Sequence, residues 1–285
     1  MFFLFFLKKF KEIKRKMRKK IEYISKRLFL RRNKMEKILL YFAFKYQGQF
    51  DKIYKAIIDK EEIDEEFLKE NMEKMNCHYT TIVSDDYPEA LKHIACPPFV
   101  LFYYGDLELL NKKTIGVIGM RRPSMYGEKA TQHLVKGLVE EDYVIVSGMA
   151  LGIDGIAAKE AMKNKGYSVA ILGSGIDYCY PARHRELYEE LKKNHLVISE
   201  YPLDLKPEKW YFPARNRLIA GLSSALLVTE ANLKSGTMIT VGYALEQGKD
   251  VMCVPSDIFM SDGCNTLIQQ GAKLVQNAKD IVEFL

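Results

Sequence analysis

Between residues 113 and 254 the sequence alternates short apolar runs with longer amphipathic segments. The apolar runs are Thr114–Ile118, Tyr143–Val146, Ser168–Leu172, Leu196–Ser199, Ala225–Thr229 and Val251–Val254. Segments with helical periodicity lie between them, near residues 127–141, 153–164, 182–193, 213–222 and 237–247. Strands that are apolar throughout are covered on both faces, and a helix between two of them brings the chain back to begin a parallel neighbour. The pattern therefore predicts an α/β domain with a doubly wound, mostly parallel sheet.

A small helical module is expected before this domain. Apolar residues recur at helical spacing from Met35 to about Met75, with breaks at Gly48 and at an acidic stretch, which predicts three short helices. Strands are expected at Tyr79–Ser84 and Phe99–Tyr104, and no Gly/Ser-rich linker separates them from the module, so the module should pack against the sheet. We infer four segments: a basic extension (1–34), the helical module (35–77), the sheet domain (78–275) and a C-terminal helix (276–285).

Positive charge is concentrated at the N-terminus. Residues 1–34 contain 14 of the 43 Lys/Arg and 2 of the 37 Asp/Glu, so the remaining residues carry a net charge of −6. A nucleic-acid site in that remainder must therefore be a local basic pocket. Three interpretations of residues 1–34 stay open: a mis-assigned start with the true start at Met35, a basic arm for membrane surfaces or nucleic acid, or an ordinary helix. The apolar run at residues 1–7 is too short for stable membrane insertion.

No metal or catalytic constellation is recognisable in the sequence. The five cysteines include no C-x-x-C pair, which suggests reduced, buried thiols and a cytoplasmic location. None of the five histidines has metal-ligand spacing, and His184 has no obvious Ser or Cys nucleophile beside it. Glu200 and Glu230 follow strands, where their simplest role is to hold arginines in place. We therefore expect no metal, no catalytic residue and no enzymatic activity.

Glycine, hydroxyl and cationic residues gather after four of the expected strands. In a parallel sheet these strand ends form one edge, where ligands bind and where backbone amides can approach phosphates. We infer a phosphate-bearing ligand at this edge. The candidate residues are Gly119, Arg121 and Arg122 after the first strand, Ser147 and Gly148 at the second, Gly173, Ser174 and Gly175 after the third, and Lys234, Ser235, Gly236 and Thr237 after the fifth.

A cluster of aromatic and basic residues adds to this set. Trp210-Tyr211-Phe212 leads into Arg215-Asn216-Arg217 at the start of a helix. Interleaved rings and guanidinium groups suit unpaired bases and the phosphates between them. The alternative is that Arg215 and Arg217 only pair with Glu200 or Glu230. No P-loop or G-x-G-x-x-G motif is present, so we expect no nucleotide cofactor.

Together these motifs resemble the DNA-processing protein A family, also called DprA or Smf. The similarity covers residues 80–275 in the family's order. The residues that carry it include Ser124-x-Tyr126-Gly127, Ser147-Gly148-x-Ala150-x-Gly152-Ile153-Asp154, Leu172-Gly173-x-Gly175-x-Asp177-x-x-Tyr180-Pro181, Phe212-Pro213-x-Arg215-Asn216-Arg217 and Lys234-Ser235-Gly236-Thr237. The Phe-Pro-x-Arg-Asn-Arg block is the most specific of them.

The resemblance implies a Rossmann-like domain that binds single-stranded DNA in a basic pocket and forms a homodimer. It also implies RecA recombinase as a partner in natural transformation, with single-strand-binding protein as a further candidate. In the family a Gly-Ser/Thr-Arg motif contacts DNA; here Gly119-Met120-Arg121 keeps the arginine and lacks the hydroxyl. A C-terminal winged-helix-like domain, found in many members, is not expected in a chain ending at Leu285.

Two other functions stay open on the sequence alone. One is a phosphoribohydrolase-like enzyme that cleaves nucleoside monophosphates, which the Lys234–Thr237 loop weakly resembles. The other is a protein-interaction scaffold whose pocket no longer binds a ligand. Release of free base would indicate the first, and DNA affinity that ignores the strand-end charges would indicate the second.

Overall fold

The computed structural model describes residues 32–285, so the extension inferred for residues 1–34 lies almost entirely outside the described residues. Three helices come first: α1 (Arg32–Lys45), α2 (Phe50–Ile58) and α3 (Glu65–Lys74). The next elements are β1 (His78–Thr81), α4 (Glu89–Lys92) and β2 (Val100–Gly105). A 3₁₀ turn over Leu107–Asn111 then leads into the repeating part of the chain.

From residue 114 onward strands and helices alternate, as the apolar pattern predicts. The elements are β3 (Thr114–Ile118), α5 (Met125–Glu140), β4 (Val144–Ser147), α6 (Ile153–Lys163), β5 (Ser168–Ile171), α7 (Arg185–Asn194), β6 (Leu196–Ser199), α8 (Tyr211–Gly221), β7 (Ala225–Val228), α9 (Gly236–Glu246) and β8 (Asp250–Cys253). Two elements that the apolar pattern did not reveal, α10 (Gly263–Gln269) and β9 (Lys273–Leu274), precede α11 (Ala278–Glu283). Both are short, and β9 has only two residues.

The strands form one nine-stranded sheet in the order β1-β2-β6-β5-β4-β3-β7-β8-β9. Pairing is parallel from β6 to β9, whereas β2 pairs antiparallel with both β1 and β6. The chain builds outward from β3 to β6 and then returns to place β7 on the other side of β3. This reversal is the topological switch point of a doubly wound sheet, where the loops after β3 and β7 diverge and leave a crevice. The predicted α/β class is confirmed.

Helices cover both faces of the sheet. Successive residues of a strand point to opposite faces, so in β7 Leu226 and Val228 pack toward α8, α9 and α10, while Leu227 packs toward α5, α6 and α11. At the β2 and β6 end this second face is covered by α7 and α1. Both faces of the central strands are therefore buried, which explains why their sequences are continuously apolar.

The first three helices share a core with the sheet, as the missing linker predicts. Leu40, Phe42 and Phe44 of α1 are buried in the same apolar cluster as Phe102 of β2 and Tyr188 of α7. The rings of Phe44 and Phe102 lie 5.8 Å apart, centroid to centroid. These contacts fix the helical module against one end of the sheet.

Among residues 32–285 no helix is both long and apolar enough to cross a bilayer. The same part of the chain has no group of three or more His, Cys, Asp or Glu side chains placed to hold a metal ion.

Candidate nucleic-acid interface

A cavity of about 710 Å³ opens at the switch point between β3 and β7. Its walls come from the loops after β3, β4, β5 and β7 and from the first turns of α8 and α9. Four cationic side chains line it: Arg121, Arg122, Lys209 and Arg215. Asp154 is the only acidic residue among its lining residues. The cavity therefore has a local excess of positive charge in a part of the chain whose net charge is negative.

Arg215 is a buried cation in the cavity wall. Its guanidinium donates to Gly148 O (2.7 Å) and to Ile171 O, and its Nε donates to Asn216 Oδ1 (3.2 Å). Burial lowers the pKa of Arg215 to about 10, an effect that the nearby Asp154 partly opposes. The group is still charged at neutral pH. Because its hydrogen bonds within the described residues go to neutral oxygens, its charge is available to an anion in the cavity.

Gly148 makes room for this arginine. A Cβ atom at position 148 would lie 2.6 Å from both terminal nitrogens of the Arg215 guanidinium. The backbone N–H of Gly148 donates to Asp154 Oδ2 (3.1 Å), as does the N–H of Ala150 (3.4 Å). Burial raises the pKa of Asp154, against the opposing effects of Arg215 and of these amides. Asp154 thus anchors the β4–α6 loop that carries the carbonyl acceptor for Arg215.

The loop after β3 is held open by Glu230 at the end of β7. Met120 N–H donates to Glu230 O (2.9 Å), and Ser124 N–H donates to Glu230 Oε2 (2.8 Å). Ser124 also caps α5 by accepting from Gly127 N–H (3.1 Å). Arg121 and Arg122 lie between these anchors and are exposed. Neither makes a hydrogen bond or ion pair with another described residue, and Arg121 lies 5.7 Å from the centre of the Phe212 ring.

Two aromatic rings form an adjacent wall. Phe212 and Tyr180 line the cavity with ring centroids 5.5 Å apart and planes at 43°. Gly173, at the end of β5, allows Phe212 to approach, since a Cβ there would lie 2.7 Å from Cδ1 of the ring. Tyr180 is 44% exposed. Open rings beside guanidinium groups offer a stacking surface next to phosphate ligands.

The N-terminus of α9 forms the opposite wall. Ser235, Gly236 and Thr237 line the cavity. The Ser235 hydroxyl donates to Asn232 O (2.6 Å) and caps no N–H of the first turn, while Thr237 Oγ1 donates to Gly119 O (3.1 Å). First-turn amides and the positive end of the helix dipole are therefore turned toward the cavity, an arrangement that suits an anion.

Arg217 takes the alternative role considered for it. Its Nη2 pairs with Glu200 Oε1 at 2.6 Å, and its other nitrogens donate to Cys96 O (3.0 Å) and Ala214 O (2.6 Å). Both partners of the ion pair are buried, and Glu200 raises the pKa of Arg217 despite the cost of burial. Arg217 therefore joins α8 to the end of β6 and is not among the residues that line the cavity.

Several other candidate residues lie near the cavity without lining it. Ser147 and Ser174 are buried, and the Ser174 hydroxyl donates to Tyr178 O (2.8 Å). Gly175 donates its N–H to Leu205 O (2.7 Å). Lys234 is exposed and lines a second, neighbouring cavity. The candidates that do line the main cavity are Gly119, Arg121, Arg122, Arg215, Asn216, Ser235, Gly236 and Thr237.

Three cavity residues were not on the sequence-based list of candidates: Lys209, Tyr180 and Met120. Lys209 directly precedes the Trp210-Tyr211-Phe212 run, and Tyr180 belongs to a motif that carries the family resemblance. Counting cations and rings on both sides of the aromatic run would have found Lys209. Nothing local marks Tyr180 as a cavity residue, because its position depends on the packing of Phe212.

Comparison with known proteins agrees with this geometry. The model of the family described as DNA recombination-mediator protein A matches residues 78–285. The chain belongs to this family. It is 44% identical to DNA processing protein DprA of Bacillus subtilis over 207 residues, which cover 72% of this chain and 70% of the relative. The recombination-mediator match begins at the first residue of β1, so it covers the complete sheet and the cavity.

Two solved structures of DNA processing protein A share the fold. The protein from Streptococcus pneumoniae superposes with a TM-score of 0.75 at 39% identity, covering 82% of this chain and 81% of that protein. The protein from Helicobacter pylori superposes with a TM-score of 0.67 at 33% identity, covering 73% and 96% respectively. The Helicobacter structure is described in terms of that protein's single-stranded DNA binding mode.

Proposed function

We propose that this chain is a non-catalytic recombination mediator that binds single-stranded DNA in the switch-point cavity. The observation that carries the proposal is the pairing of cations and open rings there: Arg121, Arg122 and Arg215 line the same cavity as Phe212 and Tyr180. A single strand presents both partners that such a wall recognises, namely phosphates and unstacked bases. A duplex keeps its bases stacked and offers this wall only phosphates. The site should therefore prefer a single strand.

The recombination-mediator family and the DNA-binding Helicobacter relative support this proposal. In this role the chain holds incoming single strands in the cytoplasm and transfers them to RecA recombinase during natural transformation, acting as a homodimer. Single-strand-binding protein, which covers the same substrate, is a further candidate partner. The mechanism needs no bond-breaking residue, because binding and release of the strand are sufficient.

Removal of Arg121 tests the proposal. Fluorescence anisotropy with labelled oligo-dT and a matched duplex is measured across a salt series for the wild type and Arg121→Ala. We expect the wild type to prefer the single strand. We expect Arg121→Ala to bind it about tenfold more weakly, with a salt slope shallower by about 0.7, because one phosphate contact is lost. Stimulation of RecA assembly on oligo-dT should fall in parallel.

Lys136→Ala is the matched control. Lys136 is an exposed cation on α5 that pairs with Glu140, away from the cavity, so its loss changes net charge by the same amount. This variant should bind like the wild type. Equal affinity of Arg121→Ala and the wild type would remove the cavity assignment. Release of free base from nucleoside monophosphates would instead indicate the phosphoribohydrolase-like enzyme.

A further inference from the structure

The loop between β8 and α10 presents three apolar side chains to solvent beside the cavity. Ile258 is 81% exposed, Phe259 89% and Met260 63%. Contiguous exposed apolar residues on a folded surface usually mark a binding site. This loop follows β8, the strand next to β7, so it lies at the same edge of the sheet as the cavity.

Hydrogen bonds hold the loop in this exposed conformation. The Ser256 hydroxyl donates to Ser261 O (2.7 Å), which closes the loop at its base. Asn265 donates its side-chain N–H to Ser256 O (2.8 Å), and its Oδ1 accepts from Ser256 N–H (3.0 Å). Phe259 N–H donates to Asp257 Oδ1 (2.8 Å). The apolar tip is therefore presented by a turn whose polar groups are satisfied, and binding would require little further ordering.

The same loop is bonded to the segment that carries Lys234. Leu233 N–H donates to Asp262 Oδ1 (2.9 Å), and Gly263 N–H donates to Ala231 O (2.9 Å). A second cavity of about 490 Å³ lies between the two loops, with Lys234 and Phe259 among its lining residues. Asn232 lines both this cavity and the main one, so the two are continuous along the sheet edge.

We propose that single-stranded DNA leaving the main cavity passes Lys234 and stacks a base on Phe259. This inference rests on the proposed function and lengthens the binding path toward β8. Lys234 contacts a phosphate between the two cavities, and the Phe259 ring offers an open face to the next unpaired base. The length of strand that the protein occupies is thus set by two stations, the main cavity and the β8–α10 loop.

Continuity and charge favour a nucleic acid over a protein at this loop. The second cavity meets the main one at Asn232, and Lys234 makes no ion pair with another described residue. The two acidic groups of the loop are turned inward, since Asp257 and Asp262 each accept a backbone N–H. A strand running from the cavity therefore meets a free cation and then a ring, without facing an unsatisfied carboxylate.

A length series tests the inference. Affinities for labelled oligo-dT from about 4 to about 16 nucleotides, the range of typical single-strand sites, are measured for the wild type, Phe259→Ala and Ile258→Ala. We expect Phe259→Ala to match the wild type on the shortest oligonucleotides that bind and to fall about tenfold below it on longer ones. Ile258→Ala removes a comparably exposed apolar side chain without a ring and should follow the wild type at every length.

A covalent contact provides a second readout. Oligo-dT carrying one 5-iododeoxyuridine, moved along the strand, should crosslink on irradiation to residue 259 of Phe259→Trp at one position only. Phe259 is almost fully exposed, so these variants should keep the wild-type unfolding midpoint.

Three outcomes would overturn the inference. Phe259→Ala could match the wild type at all lengths or fall below it equally at all lengths. It could also change the oligomeric state while leaving DNA affinity intact, which would assign the loop to a second copy. If binding still depends on Arg121 in these cases, only the extension fails. If no oligonucleotide binds in an Arg121-dependent way, the proposed function fails with it.

Discussion

The contact between Gly148 and Arg215 shows how one missing side chain positions a buried charge. Arg215 occupies the space that a Cβ at position 148 would fill, and it donates to the carbonyl of the same residue. Without this space the guanidinium would have to leave the wall of the cavity. The glycine at the end of β4 therefore acts on the ligand through the arginine that it admits.

At this scale we predict that Gly148→Ala weakens single-strand binding at least about tenfold. The new methyl group displaces the Arg215 guanidinium, and a hydrogen bond to a charged group is worth about 1.5–3 kcal/mol. Overpacking should also lower the free energy of unfolding by about 1–3 kcal/mol. Anisotropy and denaturant titration measure the two effects.

Gly242→Ala is the control for this prediction, because a Cβ at position 242 meets no atom within 4 Å. It should leave DNA affinity unchanged. Wild-type affinity in Gly148→Ala would show that the position of Arg215 does not matter for binding.

At the scale of elements, the Arg217–Glu200 ion pair connects α8 to the end of β6. Arg217 also donates to Cys96 O, in the segment before β2. Gly48, in the turn between α1 and α2, packs directly on the backbone of Glu200: a Cβ at position 48 would lie 2.3 Å from Glu200 O. One buried pair thus lies where helix, strand and helical module meet.

We predict that Glu200→Ala lowers the free energy of unfolding by about 3–5 kcal/mol, because it leaves the buried Arg217 cation without its counter-charge. Denaturant titration followed by circular dichroism measures the change. The double variant Glu200→Leu/Arg217→Leu removes both charges and should recover part of the loss. A double variant as unstable as the sum of the two single variants would contradict this account.

At the scale of the whole molecule, the helical module and the sheet share one apolar core. Leu40 is fully buried in the cluster that includes Phe102 and Tyr188. Elements that share a core in this way lose their packing together. We therefore expect the described part of the chain to unfold in one transition.

Leu40→Ala tests this expectation. It should lower the free energy of unfolding by about 2–5 kcal/mol, the usual cost of a cavity at a buried leucine. The transition should shift equally by circular dichroism and by the fluorescence of Trp210, the one tryptophan of the chain, which lies beside α8. An early transition seen only by circular dichroism would mean that the module unfolds alone.

Much of the fold followed from local pattern. The six apolar runs matched β3 to β8 within one residue at either end, and the five helical segments matched α5 to α9 within three, because these periodicities depend on near neighbours in the chain. The antiparallel pairing of β1 and β2 at the sheet edge and the addition of α10 and β9 were not visible in that pattern. Such pairings join strands that are distant in the sequence.

The sequence by itself determined the α/β class, the family and the edge of the sheet at which to look for a ligand. Only the tertiary structure decided which cations face the cavity. Arg215 and Arg217 are equivalent by composition, yet positions two apart on a helix point about 200° from each other. One therefore lines the cavity and the other meets Glu200. Lys234 was assigned in the same way, since its distance from the main cavity depends on the fold of a loop and not on its motif.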